Sequence, residues 1–310
     1  MSNKCIVLGL MLVLLTGGCA GHKSNQQGEV QQELAGSSTA AEAEQQQIMN
    51  EFDRLRNQPD IQPAELRLYI DGMITKVASH RAAAMMIGLE QVQKQRLAKM
   101  AEEYFHNDAF QRRLQQGFAP GSDLASLAGL QDAELKDLLL GFQAGGYKFD
   151  SAEGLYFPLI DYSLYQRYNS LLTADLAAYI DIMAVESAKA AAKDGALVIG
   201  WDEIIRRALR QEKFLNRYSD SPKFTEVKDL YKRYVLWGLY GANNTPLFDD
   251  ATKLFNPEAR AAYQQIAGAD AGSSLLETIR SYLEVLKGTN FRLTDDVERF
   301  RRVAADKLLN

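Results

Sequence analysis

The chain reads as an all-α protein, an irregular multi-helix array carrying one small β-hairpin near residues 147–157. Three observations predict it. Apolar residues recur at helical spacing through almost the whole stretch beyond Pro63, as in Leu66, Ile70, Met73 and Val77. Cap-type residues and prolines at first helical positions punctuate that stretch, as at Thr173, Ser221-Pro222 and Asn256-Pro257. Only residues 147–157 combine aromatic, strand-like triplets with a turn-forming centre.

Each element follows from a local pattern. One helix is expected to begin after Pro63 and to carry Leu66, Ile70, Met73, Val77 and Ala84 on one face; a second run follows through Leu89, Leu97, Met100, Tyr104 and Phe105. Phe118-Ala119-Pro120-Gly121 is a break, and a helix over 132–142 is closed by Gly145-Gly146. That glycine pair is the expected boundary between an N-terminal helical subdomain, 64–146, and a second one, 147–310, although the two could share one domain. The hairpin pairs Tyr147-Lys148-Phe149 with Leu155-Tyr156-Phe157 across 150–154. Helices are then expected over 161–170, 173–189, 201–218, 222–240, 257–266, 275–287 and 294–309. No fixed period links them, which argues against a regular solenoid.

Upstream of Pro63 the chain changes character. Lys4 precedes an uncharged apolar run from Cys5 to Leu15, about half the roughly 20 residues a membrane span needs. It ends in Leu15-Thr16-Gly17-Gly18-Cys19, which resembles the lipobox of bacterial lipoproteins. The leucine that family favours three places before the cysteine is Thr16 here, with Leu15 one place further back. The resemblance implies that residues 1–18 are a removed signal peptide, that Cys19 is lipidated, and that the mature protein is extracytoplasmic and lipid-anchored to the cell membrane. In a host with two membranes, Ala20 after the cysteine points to the outer one. Residues 19–63 are rich in Gln, Glu, Ser and Ala and read as a flexible tether with a reach of roughly 35 Å. Within them, 41–56 can form a weakly ordered helix, since Ile48, Met49, Phe52 and Leu55 fall at helical spacing.

Composition narrows the chemistry. The two cysteines, Cys5 and Cys19, both precede the body, which leaves it no disulfide, thiolate metal site or cysteine nucleophile. Net charge is −5, and removal of Lys4 with the leader takes it near −6, against nucleic acid as a partner and against attraction to anionic lipid. His80 and His106 lie on different segments without zinc-ligand spacing, and Asp249-Asp250 and Asp295-Asp296 lack the pattern of a calcium loop. No cofactor or metal is expected.

Three groups of residues can bear function, and each has a plainer structural reading. Glu153 and Asp161, with Tyr156 and Tyr162 near them, can build a polar pocket for a sugar or a cation; alternatively Glu153 is a solvated turn residue and Asp161 an N-cap. Glu186 continues the apolar stripe Leu176, Tyr179, Met183, where desolvation would raise its pKa toward a general acid's range. Ile182-Met183-Ala184-Val185-Glu186-Ser187-Ala188 is similar to the Glu-Ser helix of lytic transglycosylases, whose glutamate protonates a glycosidic oxygen. That family's following Gly-Leu-Met-Gln segment is replaced by Gly195-Ala196-Leu197-Val198-Ile199-Gly200, and Lys189 offers Glu186 a simple ion pair. Tyr234 and Trp237, in the stripe Tyr231 to Tyr240, with Asn243 and Asn244 beyond it, can stack on and hydrogen-bond to a saccharide, or can be core and turn. The function expected is a binding module at the cell envelope, with membrane contact through the lipid and a protein or peptidoglycan partner. The competing readings are a peptidoglycan-cleaving enzyme using Glu186, and a structural spacer or assembly subunit.

Overall fold

A computed structural model describes residues 26–117, 129–268 and 272–309. The proposed signal peptide, Cys19 and the break at Phe118-Ala119-Pro120-Gly121 lie outside these. The chain divides into two compact units, meeting at Gln47 and Ile48. Described residues of the first are wholly helical, forming the start of α1 (Gln26–Arg56).

Where a flexible tether was expected up to Pro63, the end of α1 belongs to the body: Ile48 and Phe52 are buried, and Met49 and Leu55 pack beside them. The helical spacing of those four residues outweighs the polar composition around them. Pro63 opens α2 (Pro63–Met73) at its first position, where its missing N–H costs nothing. The single helix expected through Ala84 is in fact two. Ile74–Lys76 tighten into a 3-10 turn, Val77 and Ala78 are extended, and α3 (Ser79–Met100) starts afresh. Ile74, Thr75 and Val77 are β-branched, which disfavours continuing the helix through them. The break buries Ile74 and leaves Ala84 exposed, with Ala82, Met85, Met86 and Leu89 facing inward instead.

A π-turn, Ala101–Phe105, leads to α4 (Asp108–Gly117), which sequence analysis missed. Its apolar signal is only Phe110 and Leu114, but Asn107 caps it, its Oδ1 accepting from the Ala109 and Phe110 amides at 2.9 and 3.2 Å. Helix α5 (Ala133–Ala144) runs close to its expected bounds, with the Asp132 carboxylate accepting from the Leu135 amide at 3.0 Å.

The hairpin is longer than expected. Strands β1 (Tyr147–Ala152) and β2 (Leu155–Ile160) pair antiparallel from Tyr147 opposite Ile160 to Ala152 opposite Leu155. Glu153 and Gly154 turn the chain with φ of +49° and +79°, the left-handed pair that suits a two-residue hairpin loop. Tyr156, Pro158 and Ile160 face inward while Leu155 and Phe157 face out. The next segment, Tyr162–Leu171, is a 3-10 helix. Tyr162, Tyr165 and Tyr168 recur every third residue, which in a three-residue turn aligns them on one face, and all three are buried.

The remaining helices are α6 (Ala174–Ala188), α7 (Trp201–Arg217), α8 (Phe224–Tyr240), α9 (Pro257–Ile266), α10 (Ser274–Gly288) and α11 (Asp295–Leu309). Helix α9 starts as expected, with Asn256 capping and Pro257 first. Helix α8 does not start at Pro222. The Ser221 carbonyl and hydroxyl accept from the Phe224 and Lys223 amides at 3.0 and 3.2 Å, so Pro222 and Lys223 form a tight turn ahead of the helix. Two further hairpins were not foreseen: β3 (Ala192–Lys193) with β4 (Ala196–Leu197), and β5 (Gly241–Ala242) with β6 (Thr245–Pro246).

Two apolar clusters form the body. One gathers Ile48 to Ala184 with Phe214 and Val227, running across Gly145-Gly146; the other gathers Ala191 to Ala305. Helices α7 and α8 join them, since Leu215 and Leu230 pack against both.

Candidate functional site

Glu186 and Tyr234 are brought together at the junction of α6, α7 and α8. Glu186 Oε2 accepts from the Tyr234 hydroxyl at 2.6 Å and lies 3.3 Å from an Arg207 guanidinium nitrogen. Arg207, almost fully buried, also binds Glu203 at 3.0 Å and the Lys189 carbonyl at 2.9 Å. Glu186's ion-pair partner is thus Arg207, reached across helices, while Lys189 supplies only its backbone oxygen. Burial pushes the Glu186 carboxyl above its ordinary value, against the opposing pull of the Tyr234 hydroxyl and the Arg207 charge. Both donors engage the carboxyl group and fix its orientation between α7 and α8. Trp237, half-buried, packs edge-on to Tyr234 with centroids 5.1 Å apart. Tyr231 and Tyr234 are core residues.

The residues around the hairpin separate. Glu153 is exposed at the turn. Asp161 caps the 3-10 helix, accepting from the Ser163 amide at 3.1 Å, and meets Lys148 at 3.2 Å. Tyr156 is buried, and its backbone N–H and C=O are both taken by the Gln111 side chain, at 2.9 and 2.8 Å. Asn244 locks two hairpin turns together: its amide side chain donates to the Asp194 carbonyl at 2.6 Å and its backbone N–H to the Gly195 carbonyl at 2.8 Å. Asn243 lies within the same turn, its Cβ next to Gly195.

Tyr162 leads to a buried polar cluster that sequence reasoning missed. Glu90, on α3, accepts from the Tyr162 and Tyr179 hydroxyls at 2.5 Å each, pairs with Lys223, and lies 3.0 Å from Lys94. Glu226 joins from α8, 2.5 Å from Lys94 and 3.2 Å from Lys223. Burial pushes the Glu90 carboxyl up, but the Lys223 charge and the three hydrogen bonds outweigh it, leaving the pKa lowered. Lys223 also sits 4.6 Å from the Tyr179 ring centroid. One turn along α3, the fully buried Gln93 donates to the Gly145 carbonyl at 2.7 Å and accepts from the Tyr165 hydroxyl, while its carbonyl accepts from Tyr147 at 2.9 Å. The cluster is a stitch between helices, with its polar groups turned on one another.

Open, concave surface adjoins this stitch at Gly145 and Tyr147, which Gln93 holds. A cleft of about 400 Å³ is bounded by α2, the end of α3 and α5. Its floor is Met100, Phe142 and Tyr147, all buried, and Tyr104 and Leu138 form half-buried walls. Glu65 and Asp137 stand exposed along it. A second groove of about 360 Å³ adjoins it, lined by Arg56, Asp60 and Lys99 among others; Gln62 and Arg96 border both. Arg96 is drawn to Glu103 at 3.3 Å. The only local hint was the proline that opens α2, because the walls come from segments up to some 80 residues apart.

Among the described residues, no group of three or more His, Cys, Asp or Glu side chains is placed to hold a metal ion, and no helix is long and apolar enough to cross a membrane. No protein-family model, curated protein or solved structure matches the chain.

Proposed function

We propose that this is a membrane-anchored extracytoplasmic lipoprotein whose helical body acts as a binding module at the cell envelope. The anchor rests on the leader and lipobox ending at Cys19. The observation that carries the binding reading is the cleft over Met100, Phe142 and Tyr147, an apolar concavity flanked by charges of both signs, of a size typical of ligand sites at about 300–1,000 Å³. Support against an acid-base enzyme comes from Glu186, whose carboxylate is engaged by Arg207 and Tyr234. The partner is an envelope protein or a cell-wall component.

The test of the anchor is fractionation of cells producing wild type or Cys19→Ala, with intact-mass measurement of the membrane-extracted protein. A diacylglyceryl-modified cysteine at the mature N-terminus, and loss of the protein from the membrane fraction in Cys19→Ala, are expected. An unmodified N-terminus, or unchanged membrane association of the variant, would refute it.

A further inference from the structure

We propose that the cleft and its adjoining groove together take a short peptide segment carrying a cation on an apolar stem, as a lysine does, and a carboxylate a residue or so away. This deepens the binding-module reading and rests on it. The two compartments present matched chemistry along a single depression. At the cleft end, Glu65 and Asp137 are exposed carboxylates without an ion pair among the described residues, in a cleft whose lining also includes Tyr104. Two like charges flanking an apolar floor are stabilised by a cation placed between them, and an aromatic face adds to that attraction. The floor itself asks for methylenes, which a long amphipathic side chain supplies while its charged end stays at the rim.

At the groove end the balance reverses. Arg56, Arg96 and Lys99 face one acid, Asp60. Arg56 and Arg96 lean on Asp53 and Glu103 at 2.8 and 3.3 Å, whereas Lys99 has no ion pair among the described residues. Arg96 borders both compartments, so an anion held there sits next to a stem lying on the floor. A purely anionic ligand would meet Glu65 and Asp137, and a neutral glycan would leave both sets of charges unanswered. Only a ligand with charges of both signs, separated by an apolar stem, satisfies the whole surface.

The probe is N-acetyl-Leu-Lys-Ala with a free C-terminal carboxylate, titrated calorimetrically into the full mature chain in detergent. Two analogues each remove one charge: the C-terminal amide, and norleucine in place of lysine. Saturable one-to-one binding is expected, at least fivefold weaker for either analogue. Asp137→Asn should weaken the parent peptide but not the norleucine analogue, and Lys99→Ala the parent but not the amide. Equal binding of all three peptides, or no saturable binding of the parent into the millimolar range, overturns the proposal. Incubating the same protein, kept in detergent, with lipid-free sacculi and immobilised envelope proteins separates the two failures, because the lipid anchor has no bilayer to enter: retention without peptide binding overturns only the ligand class, and loss of both overturns the binding reading as well.

Discussion

Replacing Lys223 with methionine removes the ammonium from the buried cluster while filling the volume of its stem. The side chains of Lys223 and Glu90 are 8% and 3% exposed, so the pair is shielded from water and the substitution strands a carboxylate. Breaking such a pair by deleting one partner costs about 3–5 kcal/mol. Glu90 here keeps Lys94 at 3.0 Å and the hydroxyls of Tyr162 and Tyr179 at 2.5 Å, which lowers the expected loss to about 2–3 kcal/mol. Glu90→Gln should cost somewhat less, because Lys223 retains Glu226 at 3.2 Å. The double variant should fall short of the sum by about 1–3 kcal/mol, the coupling of the pair. The assay is urea unfolding followed by circular dichroism, where Lys223→Met should lower the midpoint by roughly 1 M at an unchanged slope. The pH dependence has a defined sign. Because the Glu90 pKa is lowered, its contribution is present above the ordinary value of 4.5 and is lost as pH falls through the folded value. Burial then dominates in Lys223→Met and puts the variant's Glu90 above 4.5, so the gap between variant and wild type should begin to narrow above 4.5 and close further as pH falls through the lowered wild-type value. A midpoint within 0.2 M of wild type (roughly 0.5 kcal/mol at such slopes), or strictly additive single variants, would refute the cluster as an energetic stitch.

Other changes test separate links of the account. Gln93→Leu leaves the Gly145 carbonyl and the Tyr165 hydroxyl without their partner and should cost about 2–4 kcal/mol in the same unfolding assay. Gly241→Ala forces a side chain onto φ of +85° and puts its Cβ 2.5 Å from the Thr245 carbonyl oxygen, so a loss of about 2 kcal/mol or more is expected in thermal unfolding. Arg113 beside Asp132, helped by the Leu135 amide, holds that carboxyl at about 2, so its contribution is present above 3.8 and is lost as pH falls through about 2. In Arg113→Ala, an NMR titration should find the Asp132 pKa raised toward 3.8, though still below it because the amide remains.

Much of the fold was legible because its signals are local. Asn256-Pro257 start α9 and Asp132 caps α5 within a few residues of what they organise. The helical class and the hairpin likewise follow from periods read within ten residues. What escaped is non-local or too short to have a period. The strands β3 to β6 are two residues each, so Asp194-Gly195, a turn signal, had no flanking pattern to support it. The break before α3 has no proline or glycine at Val77-Ala78, only the weak local mark of β-branched Ile74, Thr75 and Val77, and the face it buries is set by distant packing. The same reason hid the polar clusters. Glu90 finds its partners 72, 89 and 133 residues away, and in the sequence it is one acid among the polar residues of a helix. Glu186 lies on a largely buried helix face, as its place in the stripe Leu176, Tyr179, Met183 predicts, but its Arg207 partner comes from the next helix and the hydroxyl from the one after.

The proposed binding of an envelope component through the cleft and its groove, without cleavage, can be tested on the isolated body. Its most direct test is depletion of the soluble body, starting near Ala41, from solution by purified envelope containing sacculi and membrane proteins, with mass spectrometry of the supernatant for released fragments. Wild type and Glu186→Gln should be retained equally without fragments, and Asp137→Asn combined with Lys99→Ala should abolish retention while the protein stays folded. Fragment release that disappears with Glu186→Gln, or retention indifferent to the paired substitution, would contradict the proposal.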